Sequence, residues 1–508
     1  MAKGFTCTSD SPVVETKAGK LRGFELDDTY HFYGIPYGKA KRWEQPEPAD
    51  CWEGVKDALA FGYICPPFNP DSPNGDILIP HRWWPKSEDC LNLNIWTPSI
   101  DRDAKKPVMV WLHGGLFADG SSVEMVAYDG ENLAHDGDLV FVSLNHRMGP
   151  YGFLNVSRFG EKYKNSQNCG LADMVLALQW IHDNIEAFGG DPGNVTIFGQ
   201  SGGGQKVSSL MQIKAAEGLF HKAIIQSGSG GRPTTIRFAD SSDCTEAMLK
   251  ELGSDSIDAL LALSTDELMA LARKVAPRHA FSFGPLENEW FDHIIFDGST
   301  ENAKKIPLLI GTNIAEMNSM MFNIKNRESM TKEEKEAVVL EKFGEELGTK
   351  LLKQFYEAYP DHDAVDALTL DDGCRTTTQW LCDQRAADGS APTYNYMFSY
   401  NFPIDGGRAT WHCAEIPFVF RHIDKVPVCN EPEIGERLQE QFSRAWISFV
   451  HTGDPNTDLL PEWRPYTKGD EFCMIIDRKC EGKVDFDREL LKTHAEGKIN
   501  FMRPNMRM

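Results

Sequence analysis

Residues 195 to 204 read Val195-Thr196-Ile197-Phe198-Gly199-Gln200-Ser201-Gly202-Gly203-Gly204. Four strand-forming residues run directly into Gly-x-Ser-x-Gly, and the following Gln205-Lys206-Val207-Ser208-Ser209-Leu210-Met211 can form a helix. Strand, sharp turn and helix are the context in which such a serine is held strained, with its hydroxyl projecting from the end of a sheet. Gly199 and Gly203 are expected there because a Cβ at either would crowd the neighbouring strand and helix. The start of the helix also offers free N–H groups to a developing negative charge. In a chain with 43 glycines the pentapeptide alone is weak evidence. Its weight comes from the flanking strand and helix and from partners found elsewhere in the chain.

The 508 residues carry 41% hydrophobic and 25% charged side chains, the balance of a globular protein with a sizeable core. A net charge of −23 argues against nucleic acid or an anionic membrane as partner, since both need a basic footprint. No apolar run approaches the length of a membrane span. The first residues, Met1-Ala2-Lys3-Gly4-Phe5-Thr6-Cys7, do not resemble an export signal. The 12 cysteines contain no Cys-x-x-Cys pair and no metal-ligand spacing. The expectation is a cytoplasmic protein with reduced thiols, no metal and no cofactor, acting as a monomer or weak homo-oligomer on a small molecule.

Working outward, residues 13 to 24 read as a short hairpin, followed by Pro-rich connections through Pro36, Pro46, Pro48, Pro66 and Pro67. From residue 90 short apolar runs alternate with helical patterns. The strands are expected at 91–96, 108–112, 139–144, 195–198, 223–226, 306–310, 394–400 and 472–476. Such continuous apolar runs suit strands buried on both faces of a mainly parallel sheet. Leu171, Met174, Val175, Leu178, Ile181, Ile185 and Phe188 share one helical face, and Gly189-Gly190-Asp191-Pro192 ends that helix. A long helix is expected near 436–451. The alternation gives an α/β class, a central mostly parallel sheet flanked by helices. No repeat or low-complexity linker interrupts it, so residues 1–508 are read as one domain, with helical cap insertions near 230–300 and 325–390.

A serine hydroxyl is a poor nucleophile until a base removes its proton, and the base needs an acid to hold its tautomer. Eight histidines follow Ser201, so order alone does not select one. Glu316 lies just beyond the strand Pro307-Leu308-Leu309-Ile310-Gly311, and His412 follows the strand ending at Tyr400 and a Gly-Gly loop. Both belong where loops leave a sheet's C-terminal edge. Position leaves each open, because a Glu after a strand is more often a surface residue and a His more often structural. Val108-Met109-Val110-Trp111-Leu112-His113-Gly114-Gly115-Leu116-Phe117 is a strand entering His-Gly-Gly, the form of an oxyanion loop. His113 is read as fixing that loop, since it precedes Ser201 in the chain.

These residues together make the chain resemble the type-B carboxylesterase and cholinesterase family, over about residues 10 to 470, and within it the bacterial para-nitrobenzyl-esterase-like members. Ser87-Glu88-Asp89-Cys90-Leu91-Asn92-Leu93-Asn94-Ile95-Trp96 is similar to a family signature, and Asn145 to Leu154 to another block. So are Leu178 through Ser201, Gly311 to Glu316, and His412-Cys413-Ala414-Glu415-Ile416-Pro417-Phe418. The resemblance implies an α/β-hydrolase fold, a serine carboxylic ester hydrolase working through an acyl-enzyme on small to medium esters, and a Ser201/Glu316/His412 triad. It places the oxyanion hole at Gly115, Leu116 and Gly202. The alternatives are a triacylglycerol lipase, or a non-catalytic cholinesterase-like interaction protein.

Departures from the family pattern sharpen the expectation. Leu116 replaces a third glycine, which keeps the N–H but narrows the pocket against bulky tertiary alcohols. Gln200 replaces a Glu that favours choline, and Gly202 replaces an Ala. Met317 replaces a Gly after the acid and has no reading. The resemblance places Trp83 and Trp84 near a cation-binding Trp of the cholinesterases, though out of register, so an aromatic gorge wall is expected. It also pairs Cys65 with Cys90 in secreted relatives. Phe281, Phe283 and Trp290 are candidates for the acyl side or for core packing.

Overall fold

A computed structural model describes residues 4–69, 78–229, 239–292, 298–316, 324, 326–371, 373–404 and 406–497. One twelve-stranded sheet runs through it. In chain order its strands are Phe5–Thr6 (β1), Phe24–Leu26 (β2), Thr29–Pro36 (β3), Asn92–Thr97 (β4), Lys106–Leu112 (β5), Val140–Leu144 (β6), Gly190–Gln200 (β7), Lys222–Gln226 (β8), Leu308–Asn313 (β9), Thr393–Phe398 (β10), Phe472–Ile476 (β11) and Glu481–Val484 (β12). The spatial order is β1-β2-β3-β4-β6-β5-β7-β8-β9-β10-β11-β12. From β6 to β11 every neighbouring pair is parallel, while β1 to β4 and β12 add antiparallel edges. This is the α/β-hydrolase architecture.

The central strands are apolar on both faces because both faces are covered. Val108, Val110 and Leu112 of β5 enter one core with Met174, Leu178 and Ile181 of the helix Cys169–Asn184 (α1) and Val207 and Leu210 of Gly202–Gln212 (α2). The alternate residues Met109 and Trp111 enter a second core on the opposite face. There they meet Phe198 and the residues Phe442, Trp446 and Phe449. Those three lie on the helix Ile434–Thr452.

The chain steps from β5 to β6 on one side and then returns to β7 on the other side of β5. That reversal opens a crevice beyond the C-terminal ends of β5 and β7, the position where open α/β sheets bind their ligands. The turn at Ser201 and the 113–117 loop both lie there.

Besides the short edge strands Phe5–Thr6 and Phe24–Leu26, two further strands lie outside the expectation from sequence. Thr29–Pro36 is an integral sheet strand rather than a Pro-rich connection. A bulge between Phe32 and Ile35, with Gly34 at φ 62°, breaks the period-two alternation that marks a strand. Glu481–Val484 is an edge strand with one half-buried face, and its mixed composition carries no apolar run.

The first insertion holds helices Ser242–Leu252 and Thr265–Val275 against loops of the crevice edge. Tyr151 Oη donates to Thr265 O at 2.7 Å, and Arg273 Nε and an Arg273 Nη donate to Phe68 O and Pro67 O at 2.5 and 3.1 Å. In the second, Lys332–Phe343 and Glu345–Ala358 form a satellite core with Ile314 and Ala315, the two residues before Glu316. The later helix Cys374–Ala387 instead flanks the sheet beside β9 and β10, with buried Leu381 and Cys382 in the first core. Among the described residues no helix is long and apolar enough to cross a membrane.

Beneath this second insertion a buried ion network joins its helices to the sheet. His362 lies 3.4 Å from Asp366 and 3.4 Å from Asp477, and Arg327 pairs with Asp366 at 2.7 Å and Asp363 at 3.2 Å. Lys335 also binds Asp363, and Ser399 donates to Asp477. Burial works to lower the His362 pKa, but the bonds and charges of Asp366 and Asp477 prevail and hold it up at about 9. A histidine raised above its unfolded value stabilises the fold fully below about pH 6.5, and loses that contribution as pH rises through about 9. Thermal unfolding from pH 6 to 10 should therefore show wild type losing on the order of 3 kcal/mol relative to His362→Gln. Parallel pH profiles for the two proteins would contradict this.

Candidate active site

The turn after β7 carries Ser201 at φ 58°, ψ −125°, a conformation that is strained for a residue with a Cβ. The strain is imposed by packing. A Cβ on Gly203 would stand 2.0 Å from Leu112 O, and one on Gly199 2.4 Å from the Gly203 carbonyl carbon. Helix α2 therefore presses directly onto the end of β5, and Ser201 is left at the apex. Its own N–H donates to Gln226 O at 2.8 Å, which ties the turn to β8.

β9 ends at Asn313, and the next three residues bring Glu316 under the same edge, fully buried. Asn313 N donates to Glu316 Oε1 at 2.8 Å, and Glu316 Oε2 lies 2.6 Å from His412 Nδ1. His412 N donates to Glu316 O at 2.8 Å, so backbone and side chain both join the two loops. Burial lowers the His412 pKa, yet the hydrogen bond and charge of Glu316 outweigh it and leave it raised. The structure thus brings Glu316 and His412 together, at the crevice where Ser201 stands. Among the described residues no hydrogen bond joins the Ser201 hydroxyl to His412. In unliganded sites such bonds often tighten only when substrate arrives.

Gln200 Nε2 sits 3.4 Å from each ring nitrogen of His412, and Gln200 Oε1 accepts from Cys413 Sγ at 3.2 Å. A neutral amide therefore lines that side of the imidazole. A second carboxylate, Glu415, has no role in the sequence reading. It accepts from Gln226 Nε2 at 3.1 Å and Asn313 Nδ2 at 2.8 Å, and burial with the nearby Glu316 raises its pKa. The signal available in sequence was its place three residues after His412.

The 113–117 loop lies against the start of α2. Gly115 and Leu116 both take positive φ, at 87° and 54°. A Cβ on Gly202 would fall 2.2 Å from Leu116 N and 2.4 Å from its Cα, so glycine at 202 is what lets this loop close on the helix start. None of the N–H groups of Gly115, Leu116 and Gly202 has a hydrogen-bond partner among the described residues. Three free donors beside a serine can accept a developing oxyanion. Among the described residues no group of three His, Cys, Asp or Glu is placed to hold a metal ion.

Other candidates lie elsewhere. Trp83 is 84% exposed and walls nothing, which corrects the expectation from sequence; Trp84 packs on Phe61 and donates to Gly62 O. Phe283 is buried against Phe68 in the core, and Trp290 packs on the same core. Cys65 and Cys90 are buried free thiols, and hydrogen bonding to Cys65 together with burial raises the Cys90 thiol well above its ordinary range. Met317 lies outside the described residues.

Comparison with known proteins shows what the whole chain is similar to. A family model for the carboxylesterase family matches residues 10–495. The para-nitrobenzyl esterase of Bacillus subtilis (strain 168) is 34% identical over 94% of this chain and 97% of its own. The phenmedipham hydrolase of Pseudarthrobacter oxydans is 33% identical over 92% and 95%. A solved esterase from anaerobic Clostridium hathewayi that can hydrolyse aliphatic aromatic polyesters superposes with a TM-score of 0.92. It is 44% identical, over 98% of this chain and 100% of its own.

The contact between Gly202 and the Leu116 backbone can be tested directly. Gly202→Ala should cost about 1–3 kcal/mol in denaturant unfolding, the usual range for overpacking, and should lower hydrolysis of p-nitrophenyl esters. Unchanged stability and turnover would mean that the loop does not sit against the helix start.

Proposed function

The chain belongs to the carboxylesterase family and hydrolyses carboxylic esters, and from that premise we propose that Ser201, His412 and Glu316 form its catalytic triad. His412 Nε2 takes the Ser201 proton as Oγ attacks the ester carbonyl carbon. The carbonyl oxygen becomes an oxyanion, met by the N–H groups of Gly115, Leu116 and Gly202. Collapse of this intermediate breaks the bond to the alcohol oxygen, which leaves with the proton from His412, and Ser201 remains acylated. Water then repeats the sequence, giving its proton to His412 and releasing the acid. Glu316 holds Nδ1–H and supports the imidazolium formed in each half. Each oxyanion donor contributes about 3 kcal/mol of barrier lowering. The scheme requires no metal and no cofactor.

The observation that carries this reading is the 2.6 Å contact between Glu316 and His412 under the edge where strained Ser201 stands. The substrate class we favour is small to medium carboxylic esters. Neutral Gln200 beside the imidazole weighs against choline esters. The 44% identity to the Clostridium hathewayi enzyme supports extending the range to aliphatic aromatic polyesters. All 12 cysteines are free thiols, which favours a reducing cytoplasmic setting.

Ser201→Ala should fold as wild type by circular dichroism and lose at least about 10⁴-fold in kcat on p-nitrophenyl butyrate. Near wild-type turnover by the alanine variant would remove Ser201 from the mechanism.

A further inference from the structure

Behind the proposed oxyanion loop stands a buried lysine. Lys206 lies on α2, five residues after Ser201, and its side chain is wholly enclosed. Its Nζ donates to His113 O at 2.8 Å and reaches Gly114 O at 3.5 Å. The nearest charges that favour the ammonium, Glu124 and Asp119, act at a distance. Burying an ammonium group is costly unless something in the site uses it. A methionine or leucine would fill this position on a core-facing helix without that cost.

The geometry of the peptide group shows what the lysine does there. In a trans peptide the C=O and the following N–H point in opposite directions within one rigid plane. Lys206 grips the carbonyl ends of the His113–Gly114 and Gly114–Gly115 planes. Their N–H ends, Gly114 and Gly115, are turned away from it. On the far side Gly115 O accepts from Ala118 N and Asp119 N at 3.2 and 2.9 Å, which fixes the next plane and with it the Leu116 N–H. Two consecutive residues at positive φ do not hold this shape alone, since Leu116 pays for its Cβ in that region. A cation on the carbonyl side also polarises these peptides, which strengthens their N–H groups as donors.

We propose that Lys206 is a positioning residue for ester hydrolysis, anchoring the loop through the His113 carbonyl and aiming and polarising the oxyanion-binding N–H of Gly115 through the Gly114 carbonyl. The inference rests on the assignment of that donor under Proposed function. His113 shares the hold on the loop, since its Nδ1 lies 2.9 Å from Gly114 O. His113 and His146 stack at 5.3 Å, and burial together with the Lys206 charge holds both well below their usual range, so they stay neutral. Burial pulls Lys206 itself down to about 7, against the pull of Glu124, Asp119 and Cys65. Even the neutral amine keeps N–H groups to offer the two carbonyls.

The test compares Lys206→Met, Lys206→Gln and Ser201→Ala with wild type on p-nitrophenyl butyrate and on an aryl trifluoromethyl ketone. The ketone adds reversibly to a serine hydroxyl and presents a full oxyanion. Lys206→Met should lower kcat by about ten- to a hundredfold, below the loss for deleting a donor outright. KM should stay within about threefold, and ketone affinity should fall in step with kcat/KM, the signature of an interaction made in the transition state. Lys206→Gln, which keeps a donor without the charge, should fall between the two, and it alone carries the test if the methionine variant does not fold. Full kcat and full ketone affinity in Lys206→Gln overturn the inference, as does a loss of kcat with ketone affinity retained. Turnover by Ser201→Ala equal to wild type would instead overturn the assignment of the nucleophile on which this inference rests.

Discussion

At the turn between β7 and α2 the backbone of the helix start touches the backbone of β5, with Leu112 O only 2.0 Å from where a Gly203 Cβ would stand. That close approach is possible only without side chains at 199 and 203, and it leaves Ser201 no relaxed conformation to adopt. The same approach continues one residue earlier in the helix, where Gly202 meets Leu116 N. Nucleophile, helix start and oxyanion loop are therefore one packed unit. The order β6-β5-β7 puts this unit at the reversal of the sheet, so the strands that hold it also open the crevice it faces.

The electrostatics follow from the burial that this packing imposes. Glu316 is enclosed with two partners, Asn313 N and His412, and its charge helps to keep the imidazole pKa raised. Glu415 lies close enough to feel Glu316, and burial together with that neighbouring charge raises its pKa. Behind the loop, Lys206 supplies the opposite sign. The chain's overall charge of −23 is unrelated to this arrangement, because the groups that matter are inside.

Much of this was legible in the sequence because the site lies at strand ends, and buried parallel strands announce themselves as apolar runs. Residues 195–204 were found in that way, while strand ends only made Glu316 and His412 candidates and the family resemblance selected them; the structure brings Glu316 and His412 into contact. The misses have physical causes. Thr29–Pro36 hides behind a bulge at Gly34 that breaks its alternation. Trp83 resembled a gorge residue by its place in the family pattern, but local loop geometry sends it into solvent. Lys206 read as one residue of a helix, because nothing in a single sequence tells a buried ammonium from a surface one. The left-handed conformation of Leu116 is likewise set by contacts distant in the chain.

The central claim is that Ser201 alone among the serines is activated. The direct measurement is peptide mapping by mass spectrometry after stoichiometric reaction with a fluorophosphonate. The account predicts a single adduct on the peptide containing Ser201, with loss of esterase activity in proportion to labelling. Labelling at another serine, or full labelling with activity retained, would contradict it.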